Sequence, residues 1–101
     1  MKINCNQQFK NLKGEVIWLD EKTKDALTLG VVLSEIVLAP HENKNGFRPL
    51  KAYELAQKFI KNGEVEIDNS DLIQLKEIVE NNKNYIPLAT AQAIQMLNEV
   101  K

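Results

Sequence analysis

Thirteen residues, Leu27 to Ala39, form the segment that most constrains this chain. They read as a helix, because Pro40 stops them and only Thr28, Gly30, Ser34 and Glu35 interrupt their apolar character. At about 100° per residue, Leu29, Val32, Leu33, Ile36 and Val37 fall on one wide face. Leu27, Val31 and Leu38 form a narrow stripe nearly opposite. A helix that is apolar on two sides is either buried on both or keeps one as an interface. In a chain of 101 residues such a helix is expected to be the centre on which the rest is laid, with the narrow stripe as an interface in the alternative.

The segments around it supply the covering layers. Residues 1–9 read as an extended arm in which Ile3 and Cys5 alternate with Lys2, Asn4 and Asn6. Asn11-Leu12-Lys13-Gly14 is a turn signal, with Gly14 free to take positive φ. Val16-Ile17-Trp18-Leu19 is rich in β-formers, so a small N-terminal β-hairpin is expected, with Trp18 in its core. A second helix begins at Pro49 and runs to about Asn62, with Gly63 as a left-handed cap. Its predicted inner face holds Ala52, Tyr53, Leu55, Ala56, Phe59 and Ile60. Glu64-Val65-Glu66-Ile67 alternates as a short strand or linker. A third helix over about 70–80 follows the capping residues Asp68, Asn69 and Ser70, and buries Leu72, Leu75, Ile78 and Val79. A fourth starts at Pro87 and buries Ala89, Ala93, Ile94, Met96, Leu97 and Val100. The expected fold is mostly α within the α+β class: about four helices and a small N-terminal β-hairpin. The whole of 1–101 is read as one domain, with a hairpin arm over 1–20 and a helical body over 26–100.

Charge narrows the function classes. Residues 1–63 carry ten basic and seven acidic side chains, whereas residues 64–101 carry three and seven. That imbalance is too small for a protein that binds nucleic acid by releasing counterions. The second and third helices are also separated by about eight residues, too many for a helix-turn-helix. No apolar signal-peptide core lies in residues 1–9, and the segment 27–39 is too short to span a bilayer. One cysteine offers no disulfide framework. These features predict a cytoplasmic protein with no membrane partner.

The residues that could carry chemistry are few. One cysteine, Cys5, and one histidine, His41, fall short of a zinc ligand set, and the four glycines are scattered rather than gathered in a phosphate loop. Cys5 alternates with Ile3 and reads as a buried apolar thiol. His41, just after a helix-ending proline, reads as a cap or an exposed side chain. No catalytic residue, cofactor or metal is expected. Two stretches stand out as candidate protein-binding surfaces. The loop 40–48 is long for a helix–helix connection and carries His41, Phe47 and Arg48, the last two being types favoured at binding hot spots, although Phe47 also suits a staple packed under the second helix. The second is acidic, with Glu64, Glu66, Asp68 and Asp71 leading a segment that suits a basic groove.

The motifs Asn11-Leu12-Lys13-Gly14, Leu27-Thr28-Leu29-Gly30-Val31-Val32-Leu33, Tyr53-Glu54-Leu55-Ala56, Gly63-Glu64-Val65-Glu66-Ile67 and Ala91-Gln92-Ala93, in this order, resemble those of small uncharacterised proteins of similar length encoded by bacteriophages and prophages. The resemblance covers most of the chain and is weakest over 40–48. It implies a phage or prophage origin, a bacterial host cytoplasm and an accessory role, and it brings no functional residues with it. The leading expectation is therefore a non-enzymatic accessory protein that binds a host or phage protein, for example a defence or replication component. A virion assembly component or assembly chaperone acting as a homo-oligomer is the alternative. A nucleic-acid-binding regulator is the third.

Overall fold

The N-terminal arm makes the first long-range contacts, and it makes them with the middle of the chain. In the computed structural model, which describes residues 1–20, 22–39, 47–83 and 85–100, strand β1 (Lys2–Asn4) pairs antiparallel with a strand at Glu64–Glu66, with Ile3 opposite Val65. A second pair joins β2 (Trp18–Asp20) to β3 (Asp25–Ala26). Four helices follow: α1 (Leu29–Leu38), α2 (Pro49–Lys61), α3 (Asn69–Glu80) and α4 (Pro87–Asn98). The strand Glu64–Glu66 lies between α2 and α3 and is β4. The α+β, mostly helical architecture is the expected one.

The hairpin itself is divided. The turn at residues 11–14 closes as expected: Gly14 N–H donates to Asn11 O at 3.0 Å, and Gly14 has a φ of 85°. Asn11 Oδ1 also accepts from the N–H groups of Lys13 and Glu15. Beyond the turn, Ile17 N–H reaches Phe9 O at 2.9 Å and Lys10 bridges Val16. Further out the two arms part, β1 toward β4 and β2 toward β3. Isolated hairpins are marginal in water, and β1 gains more by joining β4, whose Val65 is seated in the core. One consequence corrects an expectation: Trp18 is 40% exposed, with Lys24 Nζ 5.6 Å from its ring centroid, while Ile17 is the residue that packs against the core.

The arm also finishes α1. Thr28, the capping residue, makes no side-chain cap bond. The first N–H groups of the helix have no intrahelical acceptors, and here Leu29 N–H donates to Gln7 O at 2.9 Å and Gly30 N–H to Cys5 O at 3.0 Å. The carbonyls of an extended segment thus replace a capping side chain. At the far end of the chain, the Gln92 side chain both accepts from Lys10 N–H and donates to Lys10 O, tying α4 to the same arm.

α1 is the centre of the core. Leu29, Val32, Leu33, Ile36 and Val37 are buried, as are Gly30 and Ser34, whose hydroxyl donates to Val31 O. The narrow stripe dissolves: Leu27 is buried ahead of the helix, Val31 packs partly against the core, and only Leu38 is exposed. α2 lies on α1 through Ala52, Leu55, Ala56 and Phe59. Tyr53 and Ile60, assigned inward by periodicity, are instead exposed, because the covered arc of α2 ends at Ala56. Gly63 is not in the left-handed region; Asn62 caps the helix, and Gly63 O accepts from Cys5 N–H. α3 and α4 complete the core with Leu72, Leu75, Ile78, Val79, Ala89, Ala93 and Leu97. The partly buried Ile94, Met96 and Val100 pack against it. Among the described residues no helix is long and apolar enough to cross a membrane.

Candidate functional site

Strand alternation fixes the acidic surface. Val65 and Ile67 point into the core, so Glu64 and Glu66 must point out, and both are exposed. Across the pair, Glu66 lies opposite Lys2 and Glu64 opposite Asn4. The two glutamates are therefore not equivalent. Glu66 has a lysine across the strand and the Met1 amino group 3.8 Å away, whereas Glu64 faces a neutral amide. The bonds Cys5 N–H to Gly63 O and Ile67 N–H to Met1 O place the hydrogen-bonded pairs at odd-numbered residues. By alternation the backbone N–H and C=O groups of Glu64 and Glu66 point to the edge away from β1. This edge combines an acidic face with the template that an added strand uses.

Asp68 and Asp71 have structural duties. Asp68 Oδ1 accepts from Asp71 N–H at 2.7 Å and caps α3. Asp71 takes Lys51 Nζ at 2.7 Å, which joins the first turn of α3 to α2, and its side chain is only 17% exposed. So of the four nominated carboxylates, two remain available at the strand and two hold α3 in place.

The nominated loop splits in the same way. His41 lies outside the described residues. Phe47 is at the core boundary, 9% exposed, with Lys51 Nζ 5.7 Å from its ring centroid. This corrects its nomination as a surface anchor: a phenyl ring this deeply buried packs beneath α2 and has little face left to offer. Arg48 is exposed at the N-cap of α2.

One feature escaped sequence reasoning. Leu50, Tyr53 and Ile60 are 70%, 53% and 59% exposed on the outward side of α2. For Tyr53 and Ile60 the signal is an apolar arc wider than one neighbour covers, which periodicity reads as core; Leu50 falls outside the predicted inner face.

A shallow depression of about 320 Å³ lies between the end of α3 and the start of α4, lined by Glu80, Asn82, Tyr85, Pro87 and Ile94 among others. The polar groups of Asn82, Tyr85 and Thr90 are already engaged. Asn82 bonds Thr90 Oγ1 and accepts from Tyr85 N–H, and Tyr85 donates its hydroxyl to Glu35. Burial, then the hydrogen bond and charge of Glu35, hold that hydroxyl protonated well above the usual phenol range.

Cys5 is buried, and burial pushes its thiol up to about 11 from the ordinary 9.0. A thiol held neutral is a poor nucleophile. Its stabilising contribution is complete below pH 9.0 and is lost as pH rises toward 11, because only the unfolded chain releases the proton in that window. Native protein at pH 8 is therefore expected to react with iodoacetamide at least about tenfold more slowly than protein in urea, in line with a pKa gap of this size. Equal rates would place the thiol at the surface. Cys5→Ser is expected to lower stability modestly and leave binding intact. Among the described residues no group of three or more His, Cys, Asp or Glu side chains could hold a metal ion. No family model, curated protein or solved structure matches the chain.

Proposed function

We propose that the protein is a non-catalytic accessory factor that acts by binding another protein, and that the acidic edge of β4 is its contact surface. One observation carries the reading: Glu64 and Glu66 stand exposed on a strand whose intervening residue, Val65, and following residue, Ile67, are locked in the core. Rigid presentation of charge lowers the ordering cost of binding. The partner that fits is a basic extended segment or a basic groove. The phage-like order of sequence motifs supports a host or phage protein as that partner. The exposed apolar side of α2 favours a second role in self-association, which is the reading that suits an assembly component.

The test pairs a tagged wild-type protein with the double variant Glu64→Lys/Glu66→Lys in infected cells. Partners retained by the wild type are expected to be lost from the variant, while its circular dichroism stays unchanged. With a partner in hand, the association rate is expected to fall as ionic strength rises. Unaltered partners and a salt-independent rate would remove the acidic edge from consideration.

A further inference from the structure

Strand β4 leaves one of its edges open. Gly63, Val65 and Ile67 carry the bonds to the N-terminal arm, so the main-chain N–H and C=O groups of Glu64 and Glu66 face the other way. Among the described residues those groups have no hydrogen-bond partner. The opposite edge of the pair is guarded. Asn4 O accepts from Gln7 Nε2 at 3.0 Å, and Lys2 stands beside it, a residue type that discourages pairing at strand edges. The β2–β3 pair is guarded by a register shift between Trp18 and Asp20. β4 pairs in regular register and has neither proline nor lysine. Its one guard is the pair of carboxylates, and that guard is selective. A second copy of β4 would set glutamate against glutamate, which is repulsive, whereas a basic strand would meet both favourably.

We propose, resting on the acidic edge of β4 as the contact surface, that β4 receives an added strand from its partner, antiparallel and with a lysine or arginine at every second residue. The spacing follows from the pleat. Residues directly opposite one another point their side chains to the same face. The partner residues opposite Glu64 and Glu66 therefore share the outward face with the carboxylates, and basic side chains there complete both pairs. The residue between them lies opposite Val65 and turns to the inner face, so it is uncharged. Antiparallel addition lets Glu64 and Glu66 each exchange both main-chain bonds with one opposite residue, the more stable of the two ladders. The N–H groups of the basic residues then point to β4, and that of the intervening residue points away. A strand of three residues gives few such bonds, so the affinity is low.

Amide NMR of the full chain, titrated with the capped pentapeptide Lys-Val-Lys-Val-Lys, tests it. The Glu64 and Glu66 amide signals are expected to shift and their hydrogen exchange to slow. N-methylation of the lysine amides is expected to weaken binding by at least about tenfold, whereas N-methylation of the valine amides leaves it near that of the parent peptide. The two modified peptides carry the same charge, so the contrast between them reads the main-chain bonds alone. If both bind like the parent and the variant Glu64→Lys/Glu66→Lys binds none of them, the added strand is overturned and the acidic edge stands as a contact surface. If the double variant binds the parent peptide as the wild type does, the acidic edge falls as well. A wild-type chain that binds no peptide at millimolar concentration overturns the added strand.

Discussion

Gly30→Ala is expected to cost the protein about 3 kcal/mol of stability or more, the upper end of what overpacking does. Alanine is the better helix former by about 1 kcal/mol, so propensity alone predicts the opposite sign. The contact decides. A Cβ built on Gly30 would stand 2.3 Å from Phe59 O, 3.1 Å from Cys5 Cβ and 3.3 Å from Cys5 O. The nearest of these is a backbone atom of α2, which cannot rotate away as a side chain would. α1 and α2 must then separate by most of an ångström along their main contact. The arm must also move, because Gly30 N–H donates to Cys5 O and Leu29 N–H, in the same turn of helix, donates to Gln7 O. One methyl group thus loosens the helix pair and the cap together. Urea denaturation followed by far-ultraviolet circular dichroism measures the effect. A midpoint equal to or above that of the wild type would show that the two helices do not approach this closely.

That contact marks the boundary of what local sequence reveals. The face of α1 that carries Leu29, Val32, Leu33, Ile36 and Val37 was legible because a period of 3.6 residues singles out one side of a helix whatever packs there. Pro49, Pro87 and Asp68 marked helix starts for reasons internal to the helix: a missing N–H, a fixed φ and a side-chain acceptor. Periodicity does not say how much of an apolar arc a neighbour will cover. Tyr53 and Ile60 therefore read as core, although the residues that meet α1 end at Ala56 and Phe59. Strand partners were the least legible. Ile3 and Val65 are paired across most of the chain, and nothing local in Lys2-Ile3-Asn4 names its partner. Gly30 showed only as an interruption, since its role depends on the carbonyl of a residue in another helix.

The candidate surface was legible to the same degree. Acidic composition drew attention to Glu64, Glu66, Asp68 and Asp71 together, because charge counting treats them alike. Folding separates them through tasks that composition cannot register: a cap at Asp68, a bridge from Asp71 to Lys51, and exposed display at Glu64 and Glu66, the latter beside the Met1 amino group. Phe47 carried two readings, an anchor at the surface or a staple under α2. Its burial assigns the ring to the core, and of the two hot-spot types in that loop it is Arg48 that is left at the surface.

Leu33→Ala and Ile36→Ala are expected to destabilise the protein by about 2–5 kcal/mol each. Both side chains are fully buried. Each truncation removes buried methyl and methylene groups, and a further cost follows from the space left behind, which neighbours refill only in part. Here refilling is restricted. α1 packs against both α2 and α3, so neither neighbour can move inward without leaving the other side of the core. The close approach at Gly30 leaves α2 no room to advance on that turn. The effect should therefore lie in the upper part of the range for Leu33, one turn along from that contact. Leu38 provides the internal comparison. It is the same residue type on the same helix but 55% exposed, so Leu38→Ala is expected to change stability by no more than about 0.5 kcal/mol. Against a total of about 5–15 kcal/mol for a domain of this kind, the core substitutions remove a large fraction and the surface one almost none. Thermal and urea unfolding of the three variants side by side give the answer. Equal effects at Leu33 and Leu38 would mean that α1 is a peripheral helix and that the core has its centre elsewhere.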